Sequence, residues 1–369
     1  MTTSANFISR RDSLDRRAME ACIPLYVTFE ITLRCNLRCV HCYNFDRNLA
    51  YHPQKDRAHE LTDEEIHDIL DELHQEGCLF LAFTGGEALA HPHIEDFIRH
   101  ACRIGMAVRL KSNGVLLNKG RVQRIADAGA SAVDISLYGA DAPTHDAFVR
   151  QTGAFDRTIE GARAAHDRGL KVRFSLLLVQ SNANQIDGMI AIANQLGVPY
   201  SVDPQMAARY DGSRSSLDVR IDHESLEQIY RGPLRHLVSK PPNASDSVQC
   251  SCARAVCGIS AFGEVYPCIG APVPSGNLRE HSFHDIWRNS PTLRWIRNLR
   301  LDDFPTCKSC RHRSYCRRSS GVIYTNTGVY TGPEKFGEDW VCGEAEIIHR
   351  IHDETAVHSQ TTADRNGAS

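Results

Sequence analysis

Six short apolar runs, separated by amphipathic helical stretches that each end in glycine, constrain this chain more than any other feature. The runs fall at 25–30, 79–84, 107–111, 132–137, 171–178 and 199–203, and Gly77, Gly105, Gly129, Gly169 and Gly197 close the intervening helices. Glycine suits the end of a helix because it accepts the left-handed conformation there. The first of these helices opens on Thr62 with Glu65 three residues on, a capping box, and carries Ile66, Ile69, Leu70 and Leu73 at helical spacing. Strand–helix alternation calls for parallel strands joined by right-handed crossovers. Six strands fall short of a closed eight-stranded barrel. The expected fold is therefore α/β, a six-stranded parallel partial (β/α)6 barrel, with ligands at the carboxyl ends of its strands.

The chain has 14 cysteines among 369 residues. Its formal net charge of −3 offers no bulk attraction to nucleic acid, and no run is long and apolar enough to span a bilayer. The first twenty residues carry Arg10, Arg11, Arg16 and Arg17 without the apolar centre of a secretory signal. A cytoplasmic location is expected, where thiols stay reduced. Iron–sulfur or metal ligation then explains the cysteines better than disulfides.

Cys35, Cys39 and Cys42, spaced C-x3-C-x2-C, follow directly on the first strand and so lie in a loop at the carboxyl end of the sheet. Three thiolates can hold three irons of a [4Fe–4S] cluster and leave the fourth open to an external ligand, the mark of a catalytic site. Zinc, with the adjacent His41 as a fourth ligand, is the simpler competing reading.

This spacing after the first strand resembles the radical S-adenosyl-L-methionine (radical SAM) superfamily. Thr84-Gly85-Gly86-Glu87, one unit later, is similar to that family's glycine-glycine-glutamate motif. The resemblance implies that Gly85 and Gly86 let backbone approach the methionyl amino group while Glu87 supplies a counter-charge. By the same resemblance Ser136 and Asn113 contact the cofactor at the ends of the fourth and third strands, and His41 lies near the adenine. It further implies that the open iron chelates S-adenosyl-L-methionine, that an electron from the reduced cluster breaks a sulfur–carbon bond, and that the resulting 5′-deoxyadenosyl radical abstracts hydrogen from a substrate.

A linker is expected at 238–249, where Pro241, Pro242, Asn243 and Ser245 cluster. It would divide the barrel (24–237, after an N-terminal extension over 1–23) from a small loop-rich iron–sulfur domain at 250–345. The remainder, 346–369, reads as the end of a helix and then a disordered polar tail from Thr355. The C-terminal region holds Cys250, Cys252, Cys257, Cys268, Cys307, Cys310, Cys316 and Cys342. With Gly263 ahead of Cys268, it resembles the SPASM extension, which usually carries two auxiliary [4Fe–4S] clusters. The resemblance assigns Cys307, Cys310, Cys316 and Cys342 to the second cluster, and Cys257 and Cys268 with Cys252 or Cys250 to the first. Ser320 stands where the family has the first cluster's last cysteine. Either Cys250 and Cys252 both ligate, or one iron there is open. A structural zinc site is the alternative for the last four cysteines.

Cys22, Cys78 and Cys102 read as structural, His91 and His93 as loop lining, and the basic run Arg311, His312, Arg313, Arg317, Arg318 as a solvated face. Enzymes with this extension most often act on a ribosomally made peptide or protein. A precursor peptide is thus the expected partner, with a flavodoxin or ferredoxin as reductant. Some twenty residues before the first strand are too few for a leader-binding domain, so a separate leader-binding protein is the corresponding expectation. A tetrapyrrole-modifying enzyme is the alternative, and a non-catalytic metal-binding protein the second.

Overall fold

The structure is a computed structural model that describes residues 10–238, 250–333 and 340–366. The linker expected at 238–249 lies almost wholly outside the described residues. The six expected strands form: β1 (Tyr26–Glu30), β2 (Phe80–Thr84), β3 (Ala107–Ser112), β4 (Ala132–Leu137), β5 (Lys171–Leu177) and β6 (Tyr200–Asp203), all parallel and paired in chain order. Thr62 caps the helix Asp63–Gln75 through the capping box read from the sequence, and that helix buries Ile66, Ile69, Leu70 and Leu73.

Alternation along the strands separates two faces. Val27, Phe29, Leu81, Phe83, Val108, Leu110, Val133, Ile135, Phe174 and Leu176 are buried in the main core. Each such side chain contributes roughly 1.5–3 kcal/mol on burial. The opposite face of β3–β5 is polar, with Arg109, Lys111, Asp134, Ser136, Arg173 and Ser175.

The sheet differs from the expectation at one edge. It has eight strands, because β7 (Val256–Ile259) pairs parallel to β1 and β8 (Val265–Tyr266) pairs antiparallel to β7. The turn between them uses Gly263 at φ +79, where a side chain would be strained. The C-terminal region is therefore joined to the barrel edge by main-chain hydrogen bonds. The helix Trp340–Asn366 replaces the disordered tail expected from Thr355. Val341, Ala345, Ile348 and Ile351 give it a buried stripe. Its fully buried Glu344 accepts from the Tyr230 hydroxyl at 2.6 Å and from Gln205 at 3.1 Å. No helix among the described residues is long and apolar enough to cross a membrane.

Candidate active site

The main chain from Ile31 to Arg34 runs beside 84–87 as a continuation of the β1–β2 pairing. Ile31 N donates to Thr84 O, Gly86 N to Thr32 O at 2.8 Å and Glu87 N to Arg34 O at 2.8 Å. A Cβ at Gly85 would stand 2.1 Å from Thr32 O, and one at Gly86 2.3 Å from Arg34 O. Both glycines are thus demanded by the chain's own cysteine loop, which approaches too closely for any side chain. Glu87 lines the cavity beside that loop and also has a structural part. Its buried carboxylate accepts from Ser112 Oγ (2.9 Å), Asn113 N (2.8 Å) and Leu89 N (3.1 Å), and so ties the end of β2 to the end of β3. Burial raises its pKa, and these hydrogen bonds oppose the rise.

Cys35, Cys39 and Cys42 border a cavity of about 570 Å³ together with Gly85, Gly86, Glu87, Asn113, Ser136 and His41. The structure thereby brings together every residue of the first site expected from the sequence. Asn113 donates to Asn36 Oδ1 at 2.9 Å and reaches to 4.0 Å from Cys35 Sγ. His41 packs on Phe148 and Tyr138, with ring centroids 4.9 Å away in each case. Burial pushes its pKa down to about 3, so the imidazole is neutral, and its buried Nδ1 has no hydrogen-bond partner among the described residues.

Two arginines give no local signal in the sequence. Arg47 lies over the Phe45 ring and donates to Cys42 Sγ at 3.1 Å and Leu33 O at 3.0 Å. Arg209, in the stretch after β6, donates to Cys42 O at 3.0 Å and Val40 O at 2.7 Å. One guanidinium faces the sulfur and the other holds the loop's carbonyls.

The electrostatics suit a cationic group among the thiols. Burial pushes Cys35 up to about 11, helped by Glu87, and raises Cys39 as well, while Arg47 opposes both shifts. Three half-buried thiolates beside one buried carboxylate need more positive charge than a single guanidinium supplies. Among the described residues no three His, Cys, Asp or Glu side chains converge tightly enough for one metal ion. The three thiols instead surround a space, and His41 leaves an orphaned nitrogen beside it. These residues fit an iron–sulfur cluster with S-adenosyl-L-methionine against it.

Glu30, at the end of β1, is buried beside the Tyr43 hydroxyl (2.6 Å) on a second cavity of about 410 Å³. Burial raises its pKa to about 7. A carboxyl raised in the folded state stabilises fully below its ordinary pKa, and that contribution is lost as pH climbs toward 7. The loss is on the order of 3 kcal/mol. Urea titrations should show Glu30→Gln gaining on the unmodified protein between pH 5 and pH 8; an unchanged difference would contradict the assignment.

The far wall of the first cavity comes from the C-terminal region, through Ile269, Gly270, Ser319 and Val322. Beside it, Cys250 and Cys252 have sulfurs 3.0 Å apart, and Cys252 is within hydrogen-bonding reach of Cys268. Cys257 does not join them, against the sequence expectation. A Cβ on Gly258 would stand 2.7 Å from the Cys268 carbonyl carbon, so Gly258 faces that loop and strand alternation turns Cys257 the other way. Cys257 is fully buried in the main core, in register with Val27, and its pKa is raised first by burial, then by the thiols of Cys78 and, after it, Cys268. Ser320 is buried at the start of the helix Ser320–Thr327. In the last group, Cys316 is pushed up to about 12 by burial and then by Cys307. Cys342 sits in the first turn of the helix Trp340–Asn366, which packs on the turn Arg313–Tyr315.

Comparison with known proteins agrees with this geometry. The Radical SAM superfamily pattern matches residues 29–191, and the SPASM pattern, an iron-sulfur cluster-binding domain, matches 250–311. The chain is a radical SAM enzyme with a SPASM extension. Its cofactors are accordingly a [4Fe–4S] cluster, S-adenosyl-L-methionine and auxiliary iron–sulfur clusters. The AdoMet-dependent heme synthase of Methanosarcina barkeri is 28% identical over 341 residues, covering 85% of this chain and 96% of that protein. The mycofactocin maturase MftC of Mycobacterium tuberculosis is 28% identical over 337 residues, covering 84% and 82%. Among solved structures, Streptococcus suis SuiB bound to its precursor peptide SuiA superposes with a TM-score of 0.66 at 18% identity, over 90% of this chain and 80% of that one. The structure of anSMEcpe with bound AdoMet and Cp18Cys peptide gives 0.58 at 14% identity, over 93% and 99%. At such identities the likeness is one of fold.

Proposed function

We propose that this radical SAM enzyme modifies a ribosomally made peptide or protein by hydrogen abstraction, forming a crosslink, an epimer or an oxidised side chain. The observation that carries the reading is the shared cavity, with the Cys35–Cys42 loop on one wall and the iron–sulfur domain on the other. Cys35, Cys39 and Cys42 would hold the cluster, which would supply the electron for reductive cleavage of S-adenosyl-L-methionine with release of methionine. The protein's own residues do the rest. Arg209 and Arg47 hold the loop, Glu87 fixes the ends of β2 and β3, and the neutral His41 ring with Ser136 and Asn113 orients the cofactor. The apolar ring stack behind His41 keeps water from the reacting bond. The relative MftC, a maturase by name, supports a peptide substrate. A precursor peptide, a flavodoxin or ferredoxin reductant and a separate leader-binding protein complete the proposal.

Co-expression with the short open reading frames encoded beside the gene, followed by peptide mass spectrometry, tests this. A product lighter by two hydrogen atoms is the expected result for a crosslink or oxidation, and deuterium uptake from solvent for an epimer. The heme synthase relative favours a second reading, a tetrapyrrole substrate; turnover of a tetrapyrrole carboxylate with every such peptide unchanged would establish it instead.

For the auxiliary centres we propose Cys307, Cys310, Cys316 and Cys342 at one, and Cys250, Cys252 and Cys268 at the other, without Cys257. Iron analysis after anaerobic reconstitution checks this. Cys257→Ala should keep its full iron and lose stability by about 1–2 kcal/mol as a buried thiol is truncated, whereas Cys252→Ala and Cys268→Ala should lose iron. Loss of iron from Cys257→Ala would reverse the assignment.

A further inference from the structure

Inside the barrel, the register aligns Lys111 of β3 with Asp134 of β4 and Asp134 with Arg173 of β5, so three charged residues lie side by side across the cavity floor. Asp134 is only 4% exposed, and its carboxylate is taken up by two guanidiniums. Arg173 donates to it at 2.6 and 3.1 Å, and Arg109 donates from the other side. Two guanidiniums on one carboxylate already leave an excess of positive charge. Lys111 adds another, and it makes no hydrogen bond or ion pair among the described residues. Its side chain is solvent-accessible yet closely surrounded by protein, as a cavity-lining group is, and that enclosure lowers its pKa against the opposing pull of Asp134 and Cys268, neither of which is in hydrogen-bonding contact with it. Two other acids line the wall: Glu87 is taken up by Ser112 Oγ and Asn113 N, and Asp203 stands at the end of β6 opposite Leu177, four residues beyond Arg173, where burial raises its pKa toward the neutral form. Neither balances Lys111.

We infer that the Lys111 ammonium binds a carboxylate group inside the cavity, one carried by the substrate. A lone ammonium offers three donors and a single charge, which matches a carboxylate once Asp134 has consumed the guanidiniums. Asp134 is then a positioning residue that holds Arg109 and Arg173 and leaves Lys111 free for the ligand. The inference rests on reading this cavity as the reaction chamber, and it selects substrates with an acidic side chain or a free carboxyl terminus. S-adenosyl-L-methionine also carries a carboxylate, so the test separates the two sources.

The test is acetylation of the reconstituted holoenzyme with an amine-directed reagent, reading the Lys111 peptide by mass spectrometry. Propionate at four times its dissociation constant should slow Lys111 acetylation about fivefold, with propionamide and exposed Lys119 unaffected. Protection by propionate that persists under saturating S-adenosyl-L-methionine assigns the site to a substrate carboxylate. Protection by S-adenosyl-L-methionine but not by its decarboxylated analogue, with propionate then adding nothing, gives the site to the cofactor and overturns the substrate assignment. Equal protection by propionate and propionamide, or none by any carboxylate, overturns the inference altogether. Propionate binding seen by saturation-transfer NMR should survive Lys111→Arg and be lost in Lys111→Met, with iron content as the check on folding. Footprinting does not depend on turnover. Protection without 5′-deoxyadenosine formation would sink the proposed function alone, and turnover without protection would sink this inference alone.

Discussion

Cys39→Ala should abolish 5′-deoxyadenosine formation, lowering the rate by at least about 10³-fold, a barrier increase of roughly 4 kcal/mol. Cys39 is the middle sulfur of the loop, and it packs against a small apolar cluster that includes Leu37 and Tyr138. No described side chain stands ready to replace it, because the neighbouring His41 turns its ring onto Phe148 and Tyr138. A four-iron cluster left with two thiols loses its anchorage, so iron should fall by about four atoms per chain. The measurements are iron and sulfide content and chromatography of the nucleoside products. A variant that kept its full iron and cleaved S-adenosyl-L-methionine at the parent rate would remove Cys39 from the site.

Gly86→Ala should be almost as damaging, although Gly86 brings no side chain to the site. Its Cβ would lie 2.3 Å from Arg34 O and 2.5 Å from Leu33 O, with Arg34 C at 2.7 Å. All three are backbone atoms and cannot swing aside as a flexible side chain would. Relief requires parting the two chains, which breaks Gly86 N to Thr32 O and Glu87 N to Arg34 O. The expected cost is about 3 kcal/mol or more, seen as a large fall in the thermal midpoint. Because the displaced segment leads straight into Cys35, iron incorporation should fall with it. Retention of both would show that the close approach is not needed.

Much of this was legible along the chain. Each of the six parallel strands lies within two residues of its apolar run, because the glycine-ended repeat is a local signal. The Cys35–Cys42 loop and Glu87 were placed in one site by the rule that ligands gather at carboxyl strand ends. What escaped depends on contacts remote in sequence. β7 joins β1 across more than two hundred residues, and nothing in Val256–Ile259 names its partner. Arg209 reaches the cysteine loop only once the chain has folded back from β6. Cys257 reads as a ligand by spacing, yet the pairing of β7 with β1 turns it into the core. The cationic floor at Lys111 was hidden for a similar reason: alternation shows that Arg109, Lys111, Asp134 and Arg173 share a face, but only the register brings Asp134 between two arginines.

The central claim is that Cys35, Cys39 and Cys42 hold a cluster whose unligated iron takes S-adenosyl-L-methionine. The most direct measurement is electron paramagnetic resonance of the dithionite-reduced protein, with the auxiliary cysteines Cys268 and Cys316 replaced by alanine so that one cluster dominates. The account predicts that adding S-adenosyl-L-methionine shifts the signal, and that the methionine amino nitrogen labelled with ¹⁵N gives a resolved hyperfine coupling. An unshifted signal with no coupling, in protein that retains the cluster, would contradict it.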